Sequence, residues 1–339
     1  MNRKPLLSVA RYVATISIAA YHFEGLYMQG PVFLGFFYIW VEFFFVMSGF
    51  FVGIYDKNKE TDCFERIKFW VKKQLKKQYP LYILAAFVNF AVQIYIARMN
   101  SFRIIIMELF EQRWEYLGLV PFFPNAKVYN IVGPAQQIPI TIIGGVACML
   151  LGKIFSKGKH VIFPIMSMGT ILLIVVHFGN ISQWTSRIGF IPTGIARGVS
   201  EMLFGYWLST EVLPRINLDK YVTIIKIFGE LLGAASVLLL IGMRNASSYR
   251  WLASFVVLYG IWIIAMYCTD IKKTWLVNAT ILEKLTYPMF LFHGAILSLM
   301  YFKWPNYGYI MIIPFMLVLH FVAALAYGLN IKMGLMRHQ

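Results

Sequence analysis

Ten stretches of this chain each approach the twenty or so mostly apolar residues that a helix needs to cross the hydrocarbon core of a bilayer. They fall at about 6–27, 33–55, 79–97, 130–152, 160–178, 187–210, 221–242, 250–268, 285–303 and 309–330. Lipid offers the backbone no water to bond, so stretches of this length can only cross as helices. The expected fold is an all-α, polytopic membrane bundle of about ten transmembrane helices. Of 339 residues, 59% are hydrophobic and 14% charged, against roughly 45–50% and about 25% in soluble domains, and the surplus has to face lipid. No polar linker, low-complexity stretch or internal repeat divides the chain, so 1–339 reads as a single domain.

The net charge of +16 would suit nucleic acid, but its distribution points elsewhere. With the N-terminus inside, 20 of the 31 lysines and arginines fall on cytoplasmic segments and 8 on the opposite ones. That bias selects an N-in, C-in orientation and makes membrane lipid, not nucleic acid, the partner of the positive charge. Arg11 interrupts the first apolar run, and no small-residue cleavage site follows it. The run therefore reads as a retained span and not as a removable signal peptide. Cys63, Cys148 and Cys268 lie far apart without metal-type spacing, so neither a disulfide framework nor a metal site is expected.

An ionisable side chain at mid-bilayer costs about 2.5–3.5 kcal/mol on insertion scales, so each one needs a partner or a watery cavity, and function is sought there. Arg11 and His22 are eleven residues apart in the first span. At about 100° per residue they are some 20° from sharing one line, about 16 Å apart along the axis. Both can line one channel, Arg11 toward the cytoplasm and His22 toward the outside. In the second span Glu42 is a carboxylate in want of a cation; it can orient His22 or pair with Arg11. Ser48 and Gly49 share that span, and a glycine there admits either a ligand or a neighbouring helix. Arg197 and Glu201, spaced i, i+4, are expected to pair. His293 sits near mid-membrane, whereas His177 and His320 have no motif around them and read as structural or interfacial.

Two non-spanning segments stand out. The outer segment, about 98–129, is aromatic and mixed in charge, with Trp114, Tyr116, Phe122 and Phe123, as suits an interfacial or cavity-capping segment. The inner segment 56–78 carries Lys68, Lys72, Lys73, Lys76 and Lys77 on an amphipathic helix. It suits lipid headgroups or a clamp for a phosphate-bearing cytoplasmic substrate.

At this point the chain resembles bacterial acyltransferase family 3, the multispanning O-acyltransferases of cell-surface carbohydrates. Arg11, ten residues, then His22 looks like the family's first-span signature, and Glu42 to Phe50 is similar to its acidic-Phe-Phe-x-x-Ser-Gly-Phe second span. Leu285-Thr286-Tyr287-Pro288 through His293 resembles its late Ser-Tyr-x-x-Tyr-x-x-His segment. The resemblance implies a multi-pass protein of the bacterial cell membrane that moves an acyl group, commonly acetyl from acetyl-CoA, to a carbohydrate hydroxyl. It gives His22 the part of catalytic base with Arg11 as its electrostatic partner, and the coenzyme as donor substrate rather than bound cofactor. The family's Arg-x-x-Arg before the third span is here Gln74 and Lys77, with Lys73 and Lys76 alongside to supply charge without bidentate geometry. Where many members read Trp-Tyr-Leu-Ser, this chain has Ala135-Gln136-Gln137-Ile138-Pro139.

The chemistry agrees with these residue types. Transfer to an alcohol needs a base for the hydroxyl proton, which imidazole suits near neutral pH, and positive charge near the developing oxyanion. Glu42 would fix the imidazole tautomer as the acid of a triad does. The competing readings are a flippase for a lipid-linked sugar, since buried Arg, Glu and His also mark transport paths, and a catalytically silent relative. Paired broken helices in inverted repeats would favour the flippase, and the sequence shows neither.

Overall fold

The computed structural model describes residues 4–28, 33–57, 62–99, 101–111, 137–179, 186–216, 254–269 and 274–332, with scattered positions between 223 and 235. Ten α-helices run through them: α1 Pro5–Tyr27, α2 Trp40–Lys57, α3 Cys63–Ala97, α4 Phe102–Glu111, α5 Gln137–Ile154, α6 Lys159–Phe178, α7 Thr193–Trp207, α8 Ser254–Cys268, α9 Thr274–Lys303 and α10 Ile312–Lys332. Among the described residues, seven segments are long and apolar enough to cross a membrane: Pro5–Tyr27, Phe37–Lys57, Cys63–Ala97, Gln137–Ile154, Lys159–Phe178, Leu282–Lys303 and Gly308–Ile331. The all-α membrane bundle expected from the sequence is therefore present.

The other expected windows differ for local reasons. The window 187–210 opens on a two-residue hairpin, Arg187–Ile188 against Ile191–Pro192. Gly189 turns it at φ +61°, in the left-handed region that glycine enters freely. Helix α7 begins only after it, and Arg197 and Glu201 lower its hydropathy. The window 250–268 is the shorter apolar helix α8. Most of 221–242, and all of 112–129 within the aromatic segment 98–129, lies outside the described residues.

Helix α2 is the centre of one half of the molecule, packed on α7, α5 and α8, with α6 behind α7. Close approach of α2 and α7 depends on glycine in both. A Cβ on Gly49 would overlap the Met202 carbonyl, and one on Gly205 would overlap that of Val46. Phe43, Val46, Phe50 and Tyr259 fill the core between α2 and α8. In the other half α9 packs against α1, α10 and α3. Phe23, Tyr82, Leu291 and Phe315 fill that core, and α1 joins the halves through α2.

Helix α3 is 35 residues long, about 52 Å at 1.5 Å per residue, which exceeds a bilayer core by some 20 Å. Asp62 caps it, accepting from the Phe64 amide at 3.0 Å, and that bond holds the Asp62 carboxyl below its usual pKa. Its lysine-rich first half is anchored by Arg66 Nε donating to Asp56 at 2.8 Å and by buried Trp70, whose ring fills the space over Gly145. Pro80 marks the passage into the apolar half, and Tyr287 of α9 donates to the nearby Gln78 carbonyl at 2.8 Å.

Candidate active site between α1 and α9

Helices α1 and α9 run side by side in the same direction, because successive residues of one meet successive residues of the other. Arg11 meets Glu283, His22 meets His293, and Tyr27 meets Tyr301. Arg11 and His22 therefore do share a face, as their spacing predicts, and that face is turned toward α9.

The rung nearer the start of α1, the inner one in the expected orientation, is an ion pair. Arg11 Nη1 donates to Glu283 Oε1, and Ser8 donates to Glu283 Oε2 at 2.6 Å. Arg11 is further held by its Nε against Met47 Sδ at 3.1 Å and by the Phe51 ring 5.2 Å from its guanidinium carbon. The two charged side chains keep 27% and 30% of their surface exposed. Lys77 of α3 stands within electrostatic reach of Arg11, Glu283 and Lys73. Lys73 lies one turn below Lys77, whereas Lys76 points about 100° away around the helix. Arg11, Lys73 and Lys77 outnumber Glu283, which leaves the inner rung cationic and open to an anion.

The outer rung is a pair of imidazoles, stacked with centroids 5.1 Å apart and planes 28° from parallel. His293 is 2% exposed, and its Nδ1 lies 2.9 Å from the Phe290 carbonyl. A carbonyl only accepts, so Nδ1 carries the proton and Nε2 keeps a lone pair. His22 by contrast keeps an accessible ring despite its position well inside α1. Among the described residues nothing hydrogen-bonds its ring nitrogens. The Tyr21 ring meets it edge-on at 5.1 Å, and Tyr38 meets Tyr21 at 5.8 Å. Asn89 of α3, 4% exposed, brings its side-chain oxygen beside Gly294, next to His293. An accessible imidazole with both nitrogens unbonded among the described residues, backed by a fixed second imidazole, can take and return a proton.

Other expected site residues lie elsewhere. Glu42 neither orients His22 nor pairs with Arg11. It is wholly buried and pairs with Arg197, which donates from Nε at 2.9 Å and stands in ion contact with it through Nη2. Arg197 completes the expected i, i+4 pair with Glu201 at 3.6 Å. Two carboxylates around one guanidinium make a sealed cluster in the α2–α7 contact. Gly49 is taken up in the same contact, the helix-packing alternative of the two open to it, and Ser48 beside it is half-buried. His320 accepts at Nε2 from Tyr12 while its Nδ1 lies 2.6 Å from the Met316 carbonyl, a tie between α10 and α1. Sequence reasoning missed Glu283, which fell in an inter-span stretch. The signal was Arg11 itself, since an intramembrane guanidinium asks for a carboxylate. It also missed Glu24, described below.

No curated protein and no solved structure matches the chain. A family model of the acyltransferase domain of acyltransferase family 3 matches residues 6–331. That match runs from the start of α1 to the end of α10, and so takes in both rungs. The chain belongs to acyltransferase family 3.

Proposed function

We propose that the protein is an O-acyltransferase of a bacterial inner membrane, with ten spans and both termini inside. It moves an acyl group, acetyl in the simplest case, from cytoplasmic acyl-CoA to a hydroxyl of a cell-surface or lipid-linked carbohydrate. The observation that carries this reading is the pair of rungs on α1 and α9: a cationic one at Arg11, and an imidazole one eleven residues further on at His22. A donor with an anionic head and a thioester at the end of a long arm fits that separation of about 16 Å. Arg11, Lys73 and Lys77 hold the phosphates, and the arm runs along the α1–α9 seam to His22.

At the outer rung His22 takes the proton of the acceptor hydroxyl as its oxygen attacks the thioester carbonyl. The tetrahedral intermediate collapses with cleavage of the carbon–sulfur bond. The thiolate leaves with the proton returned by His22, so an ester and a free thiol are formed. Arg11 is too far from His22 to touch the same atoms, and its part is to bind the donor. His293 fixes the plane in which His22 stacks and offers its Nε2 lone pair nearby.

Cells expressing the wild type should carry acyl ester on surface polysaccharide by mass spectrometry, and cells expressing His22→Ala should not. Undiminished ester in the variant would end the assignment of His22.

A further inference from the structure

Glu24 lies two residues beyond His22, yet it is fully buried and faces away from it, about 200° around α1. Its carboxylate accepts from two consecutive backbone amides, Phe33 N–H on Oε1 at 2.8 Å and Leu34 N–H on Oε2 at 2.7 Å. Tyr309, in the turn before α10, donates to the same Oε1 at 2.5 Å. Charge-assisted bonds of this kind are about twice as strong as neutral ones, and here three of them meet on one side chain. The strap that begins at Phe33 runs on through the turn Phe37–Ile39. There Tyr38 packs on Tyr21, and Tyr21 on His22. One end of the strap is thus pinned to Glu24, and the other end backs the Tyr21 ring that stands against His22.

We propose that Glu24 is a positioning residue: by pinning Phe33 and Leu34 it sets the strap whose far end, Tyr38, walls the outer approach to His22 where the acceptor hydroxyl must enter. The acceptor-side consequence rests on the acyltransfer reading; the pinning itself does not. Glutamine cannot replace Glu24, since its single carbonyl oxygen leaves one amide facing an NH2 group, donor against donor. Aspartate falls one methylene short. Tyr309→Phe removes one donor and leaves the amide pair, so it is the milder variant.

Two measurements on purified protein and one on cells test this. Backbone hydrogen exchange over 33–39 should accelerate about tenfold or more in Glu24→Gln, and by less in Tyr309→Phe, with α2 beyond residue 42 unchanged, as loss of charge-assisted bonds implies. Acyl ester on surface polysaccharide should fall in the same order. Hydrolysis of acetyl-CoA by water, which needs no carbohydrate, should fall much less. Unchanged exchange over 33–39 in both variants would overturn the latch. A parallel loss of ester and hydrolysis would overturn its acceptor-side role. If the wild type forms no ester and hydrolyses no acetyl-CoA, the acyltransfer reading fails, while the exchange rates still decide the latch.

Discussion

Arg11 and Glu283 close an ion pair at the inner end of the same two helices whose outer part stacks His22 on His293. Binding and chemistry are thereby placed on separate rungs of one parallel helix pair, and the two rungs should fail differently when altered.

The lysines of α3 should not be equivalent. Lys77, beside Arg11 and Glu283, and Lys73 one turn away face the inner rung, whereas Lys68, Lys72 and Lys76 turn to another side of the helix. Lys77→Ala and Lys73→Ala are expected to raise the KM for acyl-CoA severalfold and to flatten its dependence on salt. Lys68→Ala and Lys72→Ala are expected to change neither. Steady-state kinetics across a salt series checks both statements.

The sealed cluster in the α2–α7 contact should govern stability. Replacing Arg197 by Met leaves Glu42 and Glu201 buried without their shared cation, a loss of about 3–5 kcal/mol for a broken buried pair. Glu42→Gln in the same chain should recover part of it. Thermal unfolding in detergent, followed by size-exclusion chromatography, reads the order: wild type, then the double variant, then Arg197→Met.

Glycines separate packing from function in the same assay. Gly205→Ala sets a methyl into the Val46 carbonyl and should destabilise by at least about 1–3 kcal/mol, since backbone cannot step aside. Gly25 has nothing within 4 Å of a new Cβ, so Gly25→Ala should be neutral or stabilising by up to about 1 kcal/mol.

The role of His293 divides into shape and proton affinity. His293→Phe keeps a ring against His22 but removes the Nε2 lone pair and the bond to Phe290. Unfolding temperature should change little, and turnover should fall at least tenfold if the lone pair takes part in proton transfer, whose typical worth is about 10²–10⁴. Turnover equal to wild type would reduce His293 to a packing surface.

Much of this architecture was legible from local pattern. Apolar length gives the spans, and the 3.6-residue period puts Arg11 and His22 on one face. Partners distant in sequence were not legible. Glu42 finds Arg197 155 residues away, and Arg11 finds Glu283 272 residues away; only the packing of α2 on α7 and of α1 on α9 chooses between the available carboxylates. Glu24 escaped notice because a carboxylate near a helix end reads as solvated, and its three donors belong to segments whose backbone course no periodicity gives.

The division between the rungs is tested most directly by steady-state kinetics of Arg11→Ala and His22→Ala with acetyl-CoA. The account expects Arg11→Ala to raise KM by about 10–100-fold, as loss of a charge-assisted contact implies, with kcat nearly kept. His22→Ala should lose kcat by about 10²-fold or more while acetyl-CoA still binds as tightly as to the wild type. Loss of kcat in Arg11→Ala at an unchanged KM, or full turnover in His22→Ala, would contradict it.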